Sequence, residues 1–146
     1  MASFAYNEAK RALLQGEIDL ATDDIRVILV MSNTTADTEQ DVNTISGITT
    51  LDECDGANYA RKSLANEAVS EGAGKAIFDA DDSVWSALGT SGTGRQVVAA
   101  LVYKHVTNDA DSVPLCYLDG TGFPFDGAAA DVTVSWHAVN GLLNLS

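Results

Sequence analysis

Basic residues are scarce in this chain: eight Lys and Arg stand against 21 Asp and Glu, for a net charge of −13. Nucleic-acid backbones are gripped by clustered Lys and Arg, so the balance argues against a nucleic-acid partner and discourages adhesion to anionic membranes. Cysteine is equally sparse. Cys54 and Cys116 cannot build a disulfide framework, and neither has a partner at metal-ligand spacing, so both read as free thiols of a reducing compartment. No window reaches the roughly 18 consecutive apolar residues of a membrane span. The N-terminal MASFAYNEAK lacks the basic segment and apolar core of a secretory signal.

Signatures of catalysis are missing as well. No G-x-S-x-G occurs, and the carboxylates are too many and too scattered to single out a hydrolytic pair. The stretch Gly89-Thr90-Ser91-Gly92-Thr93-Gly94-Arg95-Gln96 imitates the spacing of a phosphate loop. Arg95 and Gln96, however, stand where Lys and Ser or Thr belong, and the next segment reads as a strand where a phosphate loop needs a helix. A mobile hairpin loop is expected there. Asp79-Ala80-Asp81-Asp82 lacks the glycine and distal glutamate of a calcium loop and reads as an acidic turn. His105 and His137 have no second ligand at metal spacing. Trp85, Trp136, Phe123 and Phe125 offer the aromatic surface of a sugar platform, although aromatic residues at strand positions more often fill a core. The expectation is a non-enzymatic binding or structural module without cofactor or metal.

What is present is the material of one mainly-β domain. The chain has 146 residues, 46% of them hydrophobic, enough for a single core. Everything is organised around Asn7–Ser32. Asn7 is placed to cap a short helix with Ala9, Ala12 and Leu13 on one face, and Gly16 to end it in the left-handed conformation. After Thr22-Asp23-Asp24, the run Ile25–Ser32 is apolar on both faces, as a central strand requires. Asn33–Gly56 is polar and long, an arm or connection whose Ile45, Ile48 and Leu51 recur at threes as a short helical turn would.

Asn58–Val69 is helical by composition. Glu71–Gly74 forms a turn, and strands follow at Lys75–Phe78, Val84–Leu88, Gln96–Val106 and Val113–Leu118. After a loop from Gly120 to Ala130, Val132, Val134 and Trp136 alternate inward against Thr133, Ser135 and His137. About seven short strands joined by polar turns point to a β-sandwich or jelly-roll-like single domain over residues 1–146, with residues 1–16 forming an N-terminal arm and helix.

The order of these features resembles the virion structural proteins of tailed bacteriophages, of the capsid-decoration (cement) type. The likeness runs through Tyr6-Asn7-Glu8-Ala9-Lys10, Gly16-Glu17-Ile18-Asp19-Leu20 and Asp23–Val30. It continues in Gly56-Ala57-Asn58-Tyr59, Phe78–Trp85, Leu101–Lys104, Pro114–Asp119, Gly122-Phe123-Pro124, Val132–Trp136 and Gly141-Leu142-Leu143. It favours strand over helix for Asn58–Val69. The resemblance implies a β-sandwich on the capsid exterior, made in the bacterial cytoplasm. There it would bind major capsid protein as a homodimer or homotrimer and stabilise the shell. A tail or head–tail connector component is the alternative within the virion, and a glycan- or receptor-binding module the alternative outside it. Loop position and exposed apolar character nominate Ser3, Phe4, Tyr6, Thr38, Gln40, Ile45, Ile48, Phe123 and Phe125 as partner contacts.

Overall fold

The computed structural model describes residues 3–146. In chain order the elements are β1 (Phe4–Ala5), α1 (Asn7–Leu14), β2 (Ile25–Met31), a 3-10 turn (Ile45–Gly47), β3 (Lys62–Ser63), β4 (Ala68–Gly72) and β5 (Lys75–Asp79). Then come β6 (Ser83–Leu88), β7 (Val97–Lys104), β8 (Val113–Leu118), β9 (Ala130–Val134) and β10 (Leu143–Leu145). The strands form three sheets, ordered β1-β8-β7-β2-β3, β10-β5-β4 and β6-β9, and every pairing is antiparallel. The mainly-β expectation, with one short helix and long connections, holds.

The largest sheet is built on the two most apolar runs. β2 and β7 pair from Ile25 opposite Lys104 to Met31 opposite Val97, and β2 is buried along nearly its whole length. Both faces are covered, so the strand has no need of alternating polar positions. β8 lies on the far side of β7. Pro114, which has no N–H to give, sits opposite Tyr103 beside a register irregularity, where a ladder can spare the bond. Cys54 and Cys116 are free and buried, and burial pushes the Cys116 thiol up to about 12.

Helix α1 packs on β8 through Ala9 and Ala12. Its N-cap is Tyr6, not Asn7, and no side chain caps it. Tyr6 is anchored instead by burial and by its hydroxyl, which donates to the Ala36 carbonyl at 2.7 Å, so Asn7 becomes the first helical residue and pairs with Asp41. Gly16 has φ +71°, the left-handed stop read from the sequence.

Residues 33–56 are a packed connection, not an arm. Ala36, Ile45, Ile48 and Cys54 are buried in the common core. The end of the loop lies along β2: Met31 N–H donates to the Asp52 carbonyl at 2.7 Å, and Cys54 N–H to the Leu29 carbonyl at 2.8 Å. Burying an Ile contributes about 1.5–3 kcal/mol, against about 0.5–1.5 kcal/mol for a typical hydrogen bond. Each buried Ile therefore contributes more than any single threonine hydrogen bond on the loop surface. Gly89–Gln96 is likewise not a hairpin, because β6 and β7 belong to different sheets. Arg95 ties it down by pairing with Asp52 at 2.8 Å, and Ser91 and Thr93 share a hydroxyl contact at 2.9 Å. The chain then enters strand β7, with no helix after the loop. The Asn58–Val69 segment contributes strand at β3 and the start of β4, and no helix.

Candidate docking surface

β1 adds two residues to the outer side of β8, Phe4 opposite Tyr117 and Ala5 opposite Cys116. This short pairing positions the N-terminal segment beside the loops that leave β2 and β8. The Ser3 hydroxyl, exposed, donates to Asp119 Oδ1 at 3.1 Å and accepts from the Asp119 N–H at 3.2 Å. The half-buried Phe4 ring stacks on Tyr117 with centroids 5.6 Å apart and meets Tyr6 edge-on at 5.0 Å. Burial first, then the nearby Asp37 and Asp119, push the Tyr117 hydroxyl up to about 12, so it remains a neutral donor at physiological pH.

Phe123 and Phe125 pack against each other at 5.5 Å. Phe125 is fixed by paired backbone bonds with Val97 at 2.9 Å each. Phe123, Pro124, Tyr117, Asp37 and Asp119 line a surface depression of about 310 Å³, together with Ser32, Thr34 and Val98. Thr38, beside Asp37, is exposed and its hydroxyl donates to the Thr35 carbonyl at 3.1 Å. Gln40 is exposed, and its carbonyl accepts the first helical N–H, from Asn7, at 3.0 Å.

Of the nine residues nominated from sequence, Ser3, Phe4, Phe123 and Phe125 thus gather around one aromatic patch, with Thr38 and Gln40 on the adjoining loop. The other three are corrected. Tyr6 (0% exposed), Ile45 (1%) and Ile48 (6%) are core residues and present no side chain to a partner. Ile45 and Ile48 stand in a polar stretch of sequence, yet both join the common core together with Tyr6.

A second open surface carried no sequence signal. Leu13, Ile18, Leu20, Val69, Phe78 and Leu143 line an apolar groove of about 490 Å³ between the end of α1 and the β4-β5-β10 sheet. It arises from short strands distant in the chain, so no local pattern announces it.

The remaining candidates have structural roles. Asp82 accepts from Ser135 Oγ at 2.8 Å and Trp136 N–H at 3.1 Å, and Asp81 from Asn66 Nδ2 at 2.6 Å, so both carboxylates close turns. His137 Nδ1 accepts from the Val139 and Asn140 N–H groups at 3.2 and 3.1 Å. Among the described residues no group of three or more His, Cys, Asp or Glu side chains is placed to hold a metal. Trp85 is fully buried and cannot stack on a sugar.

Arg61 joins two acids in a partly buried network, pairing with Glu53 at 2.8 Å and Asp109 at 2.6 Å and lying 5.5 Å from the Tyr103 ring centre. The Arg61 hydrogen bonds hold the Asp109 carboxyl below the usual range, against the opposing effect of burial. A depressed folded-state pKa stabilises above the unfolded value of about 3.9, and the gain is lost as pH falls through the folded value. Denaturant midpoints are therefore expected to drop from about pH 4 downward, and Asp109→Asn to flatten part of that slope; an unchanged slope in urea titrations would remove Asp109 from the acid response.

Comparison with protein-family models, with curated proteins and with solved structures finds no match.

Proposed function

We propose that the chain is a capsid decoration protein of the tailed-bacteriophage type, binding the outside of an assembled head and bridging major capsid protein subunits. The observation that supports this most is the aromatic patch at the β1–β8 edge. The N-terminal segment and the 120–125 loop, more than a hundred residues apart in sequence, form one partly exposed surface with a central depression. Half-exposed aromatic rings beside a polar rim are the makings of a protein contact. The charge of −13 suits a protein that meets the shell exterior and avoids packaged nucleic acid. Repetition over a lattice multiplies modest contacts by avidity, and preference for the assembled shell stabilises it by mass action. The resemblance in sequence points to the same role.

Co-sedimentation with empty, expanded heads of the parent phage tests the reading. Saturable binding at regular lattice positions is expected, and Phe123→Ala should weaken it on the order of tenfold while melting stays cooperative. Deleting residues 38–48 is the wrong probe, since it removes Ile45 and Ile48 from the core. Protein found in tails of disrupted virions and not on shells would move the assignment to a tail or connector component. Absence from both, with binding to sugar arrays, would bring forward the glycan-binding module.

A further inference from the structure

Most acids of this chain have partners within it. Arg11, Arg26, Arg61, Arg95 and Lys104 each pair with a carboxylate. Glu39 accepts from the Thr49 N–H at 2.8 Å, Asp41 from Asn7, and Asp131 from the Ala87 N–H at 2.8 Å. Asp37 is not committed in this way. Among the described residues no Lys, Arg or hydrogen-bond donor reaches its half-buried carboxylate. It lines the depression of about 310 Å³ beside the β1–β8 edge with Asp119, Tyr117, Phe123 and Pro124, and no Lys or Arg is part of that lining. Asp119 already holds the Ser3 hydroxyl at 3.1 Å, so the uncommitted charge is that of Asp37.

Tyr117 gives an independent sign of a missing partner. The hydroxyls of Tyr6, Tyr59 and Tyr103 are all hydrogen-bonded within the chain. Tyr117 is 3% exposed, yet among the described residues its hydroxyl has no hydrogen-bond partner. Buried polar groups are hydrogen-bonded as a rule, so the exception calls for a group from outside. The charges of Asp37 and Asp119 both bear on this hydroxyl, which places it among the acids of the depression.

We infer that the depression receives an arginine side chain of the protein partner, its guanidinium lying against the Phe123 ring and donating to the Asp37 carboxylate and the Tyr117 hydroxyl oxygen. The lining selects this group. An acidic side chain is repelled by Asp37 and Asp119, and an aliphatic one would desolvate the carboxylate and the hydroxyl without pairing either. A guanidinium is planar, stacks on aromatic faces, and presents several N–H donors that fork onto a carboxylate. It is also more weakly hydrated than an ammonium, so entry into a half-buried site costs it less. The inference rests on the reading of the aromatic patch as a protein contact and adds the group that the patch recognises.

Titration of the full, isotope-labelled chain with the capped tripeptide acetyl-Gly-Arg-Gly-amide, followed by amide chemical shifts, tests it. Shifts should concentrate at residues 32–38 and 117–124, with a dissociation constant on the order of millimolar, as suits one side chain. Binding should weaken as salt rises. Asp37→Asn should weaken it at least about tenfold and Tyr117→Phe about threefold or more, both with little change in Tm. Glu71→Gln removes an exposed acid outside the depression and should leave binding as it was. Absence of shifts at peptide concentrations well past the millimolar range overturns the inference. So does equal binding of the citrulline peptide, which keeps the shape without the charge, or an equal loss from Glu71→Gln and Asp37→Asn, which would mark attraction by net charge alone. Equal binding of the lysine peptide would overturn the choice of guanidinium. The two readings fail separately. A chain that binds the arginine peptide but no heads loses the capsid role and keeps the arginine site, whereas shell binding that Phe123→Ala weakens, without peptide binding, does the reverse.

Discussion

Trp85→Ala is expected to lower the free energy of unfolding by about 3–5 kcal/mol, the range for emptying a large aromatic site in a core. Trp85 is fully buried on β6, its Nε1 donates to the Ala60 carbonyl at 2.7 Å, and its ring lies parallel to Tyr59 with centroids 6.5 Å apart. Tyr59 in turn donates its hydroxyl to Glu53 at 2.9 Å and accepts the Leu29 N–H at 3.1 Å. The indole is therefore the link between the β6-β9 pair and β2 of the large sheet. Ala60 is exposed, so water can replace the lost donor, and the cost falls mainly on the cavity. Trp85→Phe should consequently lose only about 1–2 kcal/mol, because most of the volume is retained. Urea unfolding at constant m-value checks both, and equal losses for the two variants would show that the hydrogen bond, not the volume, holds the sheets together.

Gly127→Ala and Gly56→Ala are each expected to cost about 2–3 kcal/mol through backbone collision. Three chain segments cross at Leu88-Gly89. A Cβ on Gly56 would stand 2.2 Å from the Gly89 carbonyl oxygen, and one on Gly127 would stand 2.5 Å from the carbonyl oxygens of both Leu88 and Gly89. These are backbone oxygens at the end of β6 and just beyond it, and they have no rotamer by which to escape. Gly92→Ala is the matched control: a Cβ there meets nothing within 4 Å, and the change should stay within about 0.5 kcal/mol. A large loss at Gly92 would show that glycine's flexibility, not the crossing, is what the protein needs at these positions.

The two alanine series probe features of different legibility. Trp85 stands in an alternating run that reads as a strand, yet the same run suits a surface aromatic equally well. Its neighbour Tyr59 comes from the segment whose composition favours helix. The glycine crossing had no sequence signal at all, because Gly56, Gly89 and Gly127 come together from loops of unrelated composition. The contact residues divide in the same way. Phe123 and Phe125 lie in a short loop where local position decides exposure, whereas Ile45 and Ile48 sit in a long polar segment that the fold lays over the core.

Local chemistry by itself determined some of the elements. β3 and β4 run against a composition that favours helix and a turn read at Glu71–Gly74, whereas β2, β7 and β8 arise from their apolar runs, the helix stop from Gly16, and β9 from its alternation. These depend on neighbours a few residues apart, so a single sequence displays them. Only the tertiary structure decided which strand pairs with which, that residues 33–56 send Ala36, Ile45, Ile48 and Cys54 into the core, that among the described residues β4 pairs with β5 alone, and that an apolar groove opens beside it. The ladder hydrogen bonds that join strands are made by backbone groups common to every residue. Partner choice is therefore set by the summed burial of side chains distant in the chain, which no local pattern contains.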